Sequence, residues 1–143
     1  MINASTITES LKDTLSAAMT SHTVERADYV NMDPHRAPWI GVYRTRVKYD
    51  PRTLGRNAAS WNGTVVIRLM VQQTSMISGE DCENQLEANI ASVLAAVWSD
   101  ETWESTVDMV TGMEIEYSYK EHELESIYFQ WALITLTAEV STG

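Results

Sequence analysis

Glu121, His122 and Glu123 are the residue types in this 143-residue chain best suited to metal-assisted hydrolysis. An imidazole between two carboxylates offers ligands for zinc, and a metal-bound water would then be the nucleophile. The spacing opposes this reading. Neighbouring residues on a turn or strand point in different directions, no second histidine lies close in sequence, and zinc needs three or four convergent ligands. A solvated hairpin turn is the simpler account of EHELE, residues 121–125. Cys82, the single cysteine, opens a helix, where a thiol pKa is lowered, but it also falls on that helix's apolar stripe. That position predicts a small buried hydrophobe. Glu114 and Glu116 share one strand face, as paired acids would, although two carboxylates on a polar strand face are ordinarily solvated. No Gly-x-Ser-x-Gly occurs, and Gly41, Gly55 and Gly63 do not form a phosphate-binding spacing. The expectation is a protein without catalytic residues, metal or cofactor.

Charge is the stronger signal. Eight of the ten Lys/Arg residues lie between Arg26 and Arg68, a stretch of net charge +5, whereas residues 75–143 carry −13 and the whole chain −10. Neutralising phosphates takes clustered cations, so the overall balance argues against a nucleic-acid binder. Arg44, Arg46 and Lys48 fall on one face of a predicted strand, and Arg52 and Arg56 in the next loop extend them. Such a stripe blunts an edge strand, meets an acidic neighbour or touches nucleic acid. A chain basic in its middle and acidic towards its end can dock on copies of itself. Glu114, Glu116, Glu121, Glu123 and Glu125 form the acidic counterpart, and Trp61 and Trp103, in irregular segments, are candidates for interface burial.

The elements that must carry these groups follow from periodicity. Thr6-Ile7-Thr8-Glu9 fits a capping box, and Ile7, Leu11, Leu15, Ala18 and Met19 make the apolar stripe of a first helix. His22 near its end is a cation that favours the helix dipole. A short strand is expected over 23–29, a loop over 31–38, and a strand over 39–49. Residues 50–63 read as a long loop closing in an Asn62-Gly63 turn, and Thr64–Gln73 as a strand whose core face is Val65, Ile67, Leu69 and Val71. Ser78 caps a second helix running to about Trp98, striped by Cys82, Leu86, Ile90, Val93, Leu94 and Val97. Residues 99–112 fit either a helical turn or an irregular strand. Met113–Lys120 and 126–140 are strands forming an antiparallel hairpin, the second with a parity switch that predicts a bulge near Leu133. The fold class is α+β: one domain over 1–143, two layers, a mostly antiparallel or mixed sheet with both helices on one face.

The N-terminus lacks the basic and apolar regions of a signal peptide, and no apolar run approaches a membrane span, so a soluble chain, intracellular at synthesis, is expected.

The run Pro38-Trp39-Ile40-Gly41-Val42-Tyr43, then Tyr49-Asp50-Pro51-Arg52, Trp61 before a strand, the 78–98 helix and the closing pair MEIEYSYK and IYFQWALITLTAEV resemble the tail terminator (tail completion, minor tail protein U-like) family of tailed bacteriophages. That resemblance implies an α+β subunit of a hexameric ring. The ring would cap the tail tube, stop tube polymerisation and present the surface for head–tail joining. Implied partners are further copies of the chain, the tail tube protein and head–tail connector proteins, with DNA only passing through the lumen, which Glu114, Glu116, Glu121, Glu123 and Glu125 would line if they are not the complementary interface. The implied place is the virion, after assembly in the host cytoplasm. A rival expectation is a small acidic module that binds a host factor or mimics nucleic acid.

Overall fold

The computed structural model describes residues 2–26, 37–50, 61–117, 122–124 and 127–142. In chain order these form α1 (Ala4–Ala18), β1 (Thr23–Arg26), β2 (Trp39–Tyr49), β3 (Trp61–Ser75), α2 (Gly79–Ser99), β4 (Met109–Tyr117), β5 (His122–Leu124) and β6 (Ile127–Thr142).

Asn3, not Thr6, caps α1. Its side chain accepts a hydrogen bond from the Thr6 N–H at 3.1 Å, and its carbonyl accepts from Ile7 at 3.2 Å. Asn is as good an N-cap as Thr, and starting at Asn3 puts Ile7, Leu11 and Leu15 on the buried face. Ser78 caps α2 as expected, accepting from the Asp81 N–H at 3.0 Å, with Glu80 and Asp81 at the positive end of the helix dipole.

The sheet is six-stranded and mixed. Its order is β1-β2-β3-β6-β4, with β5 also paired to β6; β1 runs parallel to β2, and all other pairings are antiparallel. Val65, Ile67, Leu69 and Val71 pair with Ala138, Leu136, Ile134 and Ala132, which makes one continuous apolar face. Both helices pack on that face. Leu11 and Leu15 of α1 and Leu86, Ile90, Val93 and Val97 of α2 belong to the same core cluster. Each such side chain contributes roughly 1.5–3 kcal/mol by leaving water.

Four local expectations give way. Asn62 and Gly63 make no turn; they pair within β3 to Ser141 and Val140. Glycine is required at 63 because a Cβ there would lie 2.3 Å from the Lys48 carbonyl oxygen, so the constraint is close approach of β2. The β6 bulge is absent: β3 and β6 pair without a break from Trp61↔Thr142 to Ser75↔Tyr128. The odd apolar residues Phe129, Trp131 and Leu133 instead stay on the sheet face away from the helices. There Trp39, Met70 and Phe129 are buried, and the Phe129 and Trp131 rings stand 5.8 Å apart. His122–Leu124 is a short strand on β6, not a turn. His22 lies beyond the end of α1, and burial pushes its imidazole pKa down, the opposite of a dipole-stabilised cation.

Candidate assembly interface

Opposite charges collect at opposite sides of one sheet face, and two bulges put them there. β2 and β3 pair in step from Trp39↔Gln72 to Arg44↔Ile67, then resume at Arg46↔Val66. Thr45 is the extra residue, and its hydroxyl donates to the Val66 carbonyl at 3.0 Å. The inserted residue reverses the phase of the strand. Before it, Ile40 and Val42 face the helices; after it, Val47 and Tyr49 do, opposite Val65 and Gly63. Arg46 and Lys48 therefore lie on the outer face. Arg44 pairs with Ile67 and belongs by register to the helix side, so the expected single stripe of three cations is split. All three are exposed. Arg68 joins Arg46 and Lys48 on the outer face, beside Tyr43.

A second shift, between Val110 and Gly112, does the same for β4. Past it, Met113, Ile115 and Tyr117 share the helix side with Leu136, Ile134 and Ala132. Glu114 and Glu116 share the outer face with Thr135 and Leu133, and both are exposed. Glu139 of β6 lies on the same face, opposite Thr64.

The cations of β2 and the carboxylates of β4 are three strand spacings apart, about 14 Å. That exceeds the Debye length of about 8 Å at physiological ionic strength, so the two groups do not neutralise each other within one molecule. Among the described residues, ion pairs join Lys12 to Glu9 and Asp13, and Arg26 to Glu9; none involves either group.

Of the other expected site residues, Arg52, Arg56, Glu121 and Glu125 lie outside the described residues. Trp61 and Glu123 are described only as backbone, in β3 and β5. Trp103 is not an interface residue: it is fully buried in the subunit's own core, beside α2 and Val107.

Both ends of the sheet present strand edges. β1 pairs with Trp39–Val42, and β1 and β4 are the first and last strands of the order among the described residues. The helix side of β4 is apolar and open. Met113 and Tyr117 are exposed on it, as is Trp98 near the end of α2. The Tyr117 hydroxyl pKa is raised, first by burial and then by the Glu87 carboxylate of α2 beside it.

Met76 and Ile77 are a further feature missed in the sequence. They are 80% and 77% exposed at the turn between β3 and α2. The turn is held rigidly: Ser75 Oγ donates to Asp81 at 2.5 Å and accepts from the Ile77 N–H at 3.1 Å, while Gln85 bonds both Asp81 and Gln73. The signal was the apolar pair inside the otherwise polar TSMISG, between a strand and a helix cap.

Among the described residues no three His, Cys, Asp or Glu side chains converge on a metal position, and Cys82 is buried with its thiol directed at the Gln73 and Tyr128 carbonyls. A polar groove of about 530 Å³ at one end of the sheet brings Lys48, Asp50, Asp108 and Glu139 together, with Asp108 accepting from Ser141 Oγ at 2.6 Å. No helix among the described residues is long and apolar enough to cross a membrane.

No protein-family model matches the chain, and no curated protein does either. Among solved structures, the chain is similar to the sheath/tube terminator of an extracellular contractile injection system (PVC, extended state), with a TM-score of 0.43 and 14% identity over 99% of this chain. The chain spans 57% of that protein's length, and at this score and identity the likeness carries no functional weight.

Proposed function

We propose that the chain is a structural, non-enzymatic subunit that assembles head-to-tail with copies of itself into a ring closing a phage tail tube. The observation that carries the reading is the separation of Arg46 and Lys48 on β2 from Glu114 and Glu116 on β4 across one outer sheet face. A contact between unlike patches is heterologous, and it closes into a ring when the rotation per subunit divides a full turn. The residue pattern shared with tail terminators supplies the rest of the proposal. The ring would be a hexamer that stops tube polymerisation and offers the head–tail joining surface to connector proteins. It would be located in the virion after assembly in the host cytoplasm. A chain of net charge −10 suits a lumen through which DNA slides, because adhesion to phosphate comes from cations. The exposed Met76–Ile77 turn is apolar and rigid, which suits contact with the tube end.

The test is mass photometry over a range of protein concentrations, followed by negative-stain imaging, alone and with polymerising tube protein. The expected result is annular particles of uniform mass and arrest of tube growth at substoichiometric amounts. A chain that remains monomeric at high concentration and on tube ends, with tubes growing unimpeded, contradicts the proposal.

A further inference from the structure

We infer that the Met76–Ile77 turn is the anchor by which each subunit holds the tube, and that it fits an apolar socket rimmed by lysine or arginine on the tube end. This rests on the ring-closing reading above and names the contact and the chemistry of its partner.

The first argument is exposure combined with rigidity. Met76 and Ile77 are 80% and 77% exposed, whereas the other large exposed hydrophobics among the described residues lie between 42% and 50%. A loose loop would let such side chains fold back, but this turn is tied down. Ser75 Oγ accepts from the Ile77 N–H and donates to Asp81, and Ser78 accepts from the Asp81 N–H. Gln85 donates to Asp81 and accepts from Gln73, which in turn accepts from Asn89 of α2. Gln73 and Ser75 are both buried, so the turn is fixed from inside the molecule. Apolar groups held in place beforehand bind without a large ordering cost.

The second argument is charge. Glu80 and Glu83 are exposed on α2 directly after the turn, and neither forms an ion pair among the described residues. The sequence has no Lys or Arg from Leu69 to Tyr119. A partner that covers Met76 and Ile77 brings its rim against these carboxylates, so cations there attract and carboxylates repel. The other apolar surface of the chain, with Met113 and Tyr117, has Glu87 beside it, so a second copy presents like charge at that surface.

The third argument is position. The turn follows Ser75 at the end of β3 where β6 begins, and the polar groove with Lys48, Asp108 and Glu139 lies at the opposite end, beside Gly63. Arg46 and Lys48 on β2 and Glu114 and Glu116 on β4 instead lie towards the two sides of the sheet. Rotation about a ring axis sets every copy of the turn at one height. A tube end of matching symmetry then meets a circle of identical anchors, and weak single contacts add up to firm attachment.

The test uses the full chain with polymerising tube protein as the probe, and two variants: Met76→Ser with Ile77→Ser, and Glu80→Lys with Glu83→Lys. All four side chains are exposed, so folding should survive, and circular dichroism checks it. Mass photometry should show both variants forming the same annular particles as wild type. Arrest of tube growth should need at least about tenfold more of the serine variant, and more of the lysine variant than of wild type at low salt. Met76 should be oxidised quickly by peroxide in the free ring and slowly in rings seated on tubes. Four results overturn the inference while leaving a ring-closing protein: a serine variant that arrests growth as well as wild type, a serine variant that no longer forms rings, a lysine variant that arrests growth better than wild type, or Met76 oxidised equally fast in free and seated rings. A wild type that forms no ring, or never arrests tube growth, removes the ring-closing reading and this contact together.

Discussion

The indole of Trp39 lies directly on Gly41: a Cβ at Gly41 would sit 2.3 Å from Cη2 of Trp39 and within 3 Å of two further ring atoms. The ring is 1% exposed on the outer face of the sheet, so it has little room to retreat. Gly41→Ala should destabilise the fold by about 1–3 kcal/mol through overpacking. Gly112→Ala is the control. Its Cβ would meet nothing nearer than Thr137 at 3.5 Å, so it should be neutral or stabilising by about 0.5 kcal/mol. Urea denaturation of both variants checks the contrast, and equal losses would refute the packing account.

The turn after α2 places Trp103, Glu104 and Ser105 in the left-handed region, with φ of 45°, 59° and 64°. L-residues pay conformational strain there, whereas glycine does not. Ser105→Gly should therefore stabilise by about 0.5–1 kcal/mol in denaturant melts. Asp100 holds the turn by accepting from the Glu104 N–H at 2.7 Å and from the Thr102 hydroxyl at 2.8 Å. These bonds, Glu104 first, keep its carboxyl below the usual range. A depressed folded pKa means the stabilisation is present at neutral pH and is lost as pH falls below about 4, through the folded value. Asp100→Asn should remove that part of the acid sensitivity; an unchanged acid limb rejects the role.

His22 gives a second pH signature. Its Nε2 is buried and has no hydrogen-bond partner among the described residues, and burial lowers its pKa. Below the ordinary imidazole value of about 6.5, the unfolded chain takes up a proton that the folded chain resists. Stability should fall as pH drops from 7 through that window. His22→Gln should flatten the slope there; thermal melts at closely spaced pH values read it out, and parallel curves would exclude His22.

Cys82 is fully buried, and its thiol bridges α2 to the carbonyls of Gln73 and Tyr128. Its reaction with a thiol reagent should track unfolding, remaining slow in native protein and fast in denaturant. Rapid stoichiometric labelling of native protein would contradict the burial.

The parts legible in the sequence were those set by local periodicity. The Cys82–Val97 stripe located α2 nearly to the residue, the alternation after Trp39 bounded β2, and Val65, Ile67, Leu69 and Val71 were identified as core before any partner was known. Most of the errors depended on a partner. Gly63 resembled a turn because Asn-Gly accepts turn dihedrals, yet it is glycine because the Lys48 carbonyl crowds it from β2. The changing parity of β6 resembled a bulge because the second apolar group, built with Trp39 and Met70, was not foreseeable from one strand. Arg44, Arg46 and Lys48 alternate perfectly in sequence, and only pairing with β3 reveals the shift between them. Trp103 sits in an irregular stretch, where burial is decided by long-range packing.

Thr45 acts as a reading-frame switch for the strand. Keep every residue but straighten the strand through this point, and Arg46 and Lys48 turn inward against the hydrocarbon interior while Val47 and Tyr49 turn to water. Losing the bulge in that way would do double damage, seeding cations in the core and erasing the charge by which one molecule would recognise the next. Deleting residue 45 is the milder change, because Arg44↔Ile67 and Arg46↔Val66 would then follow one another directly and every later side chain would keep its face.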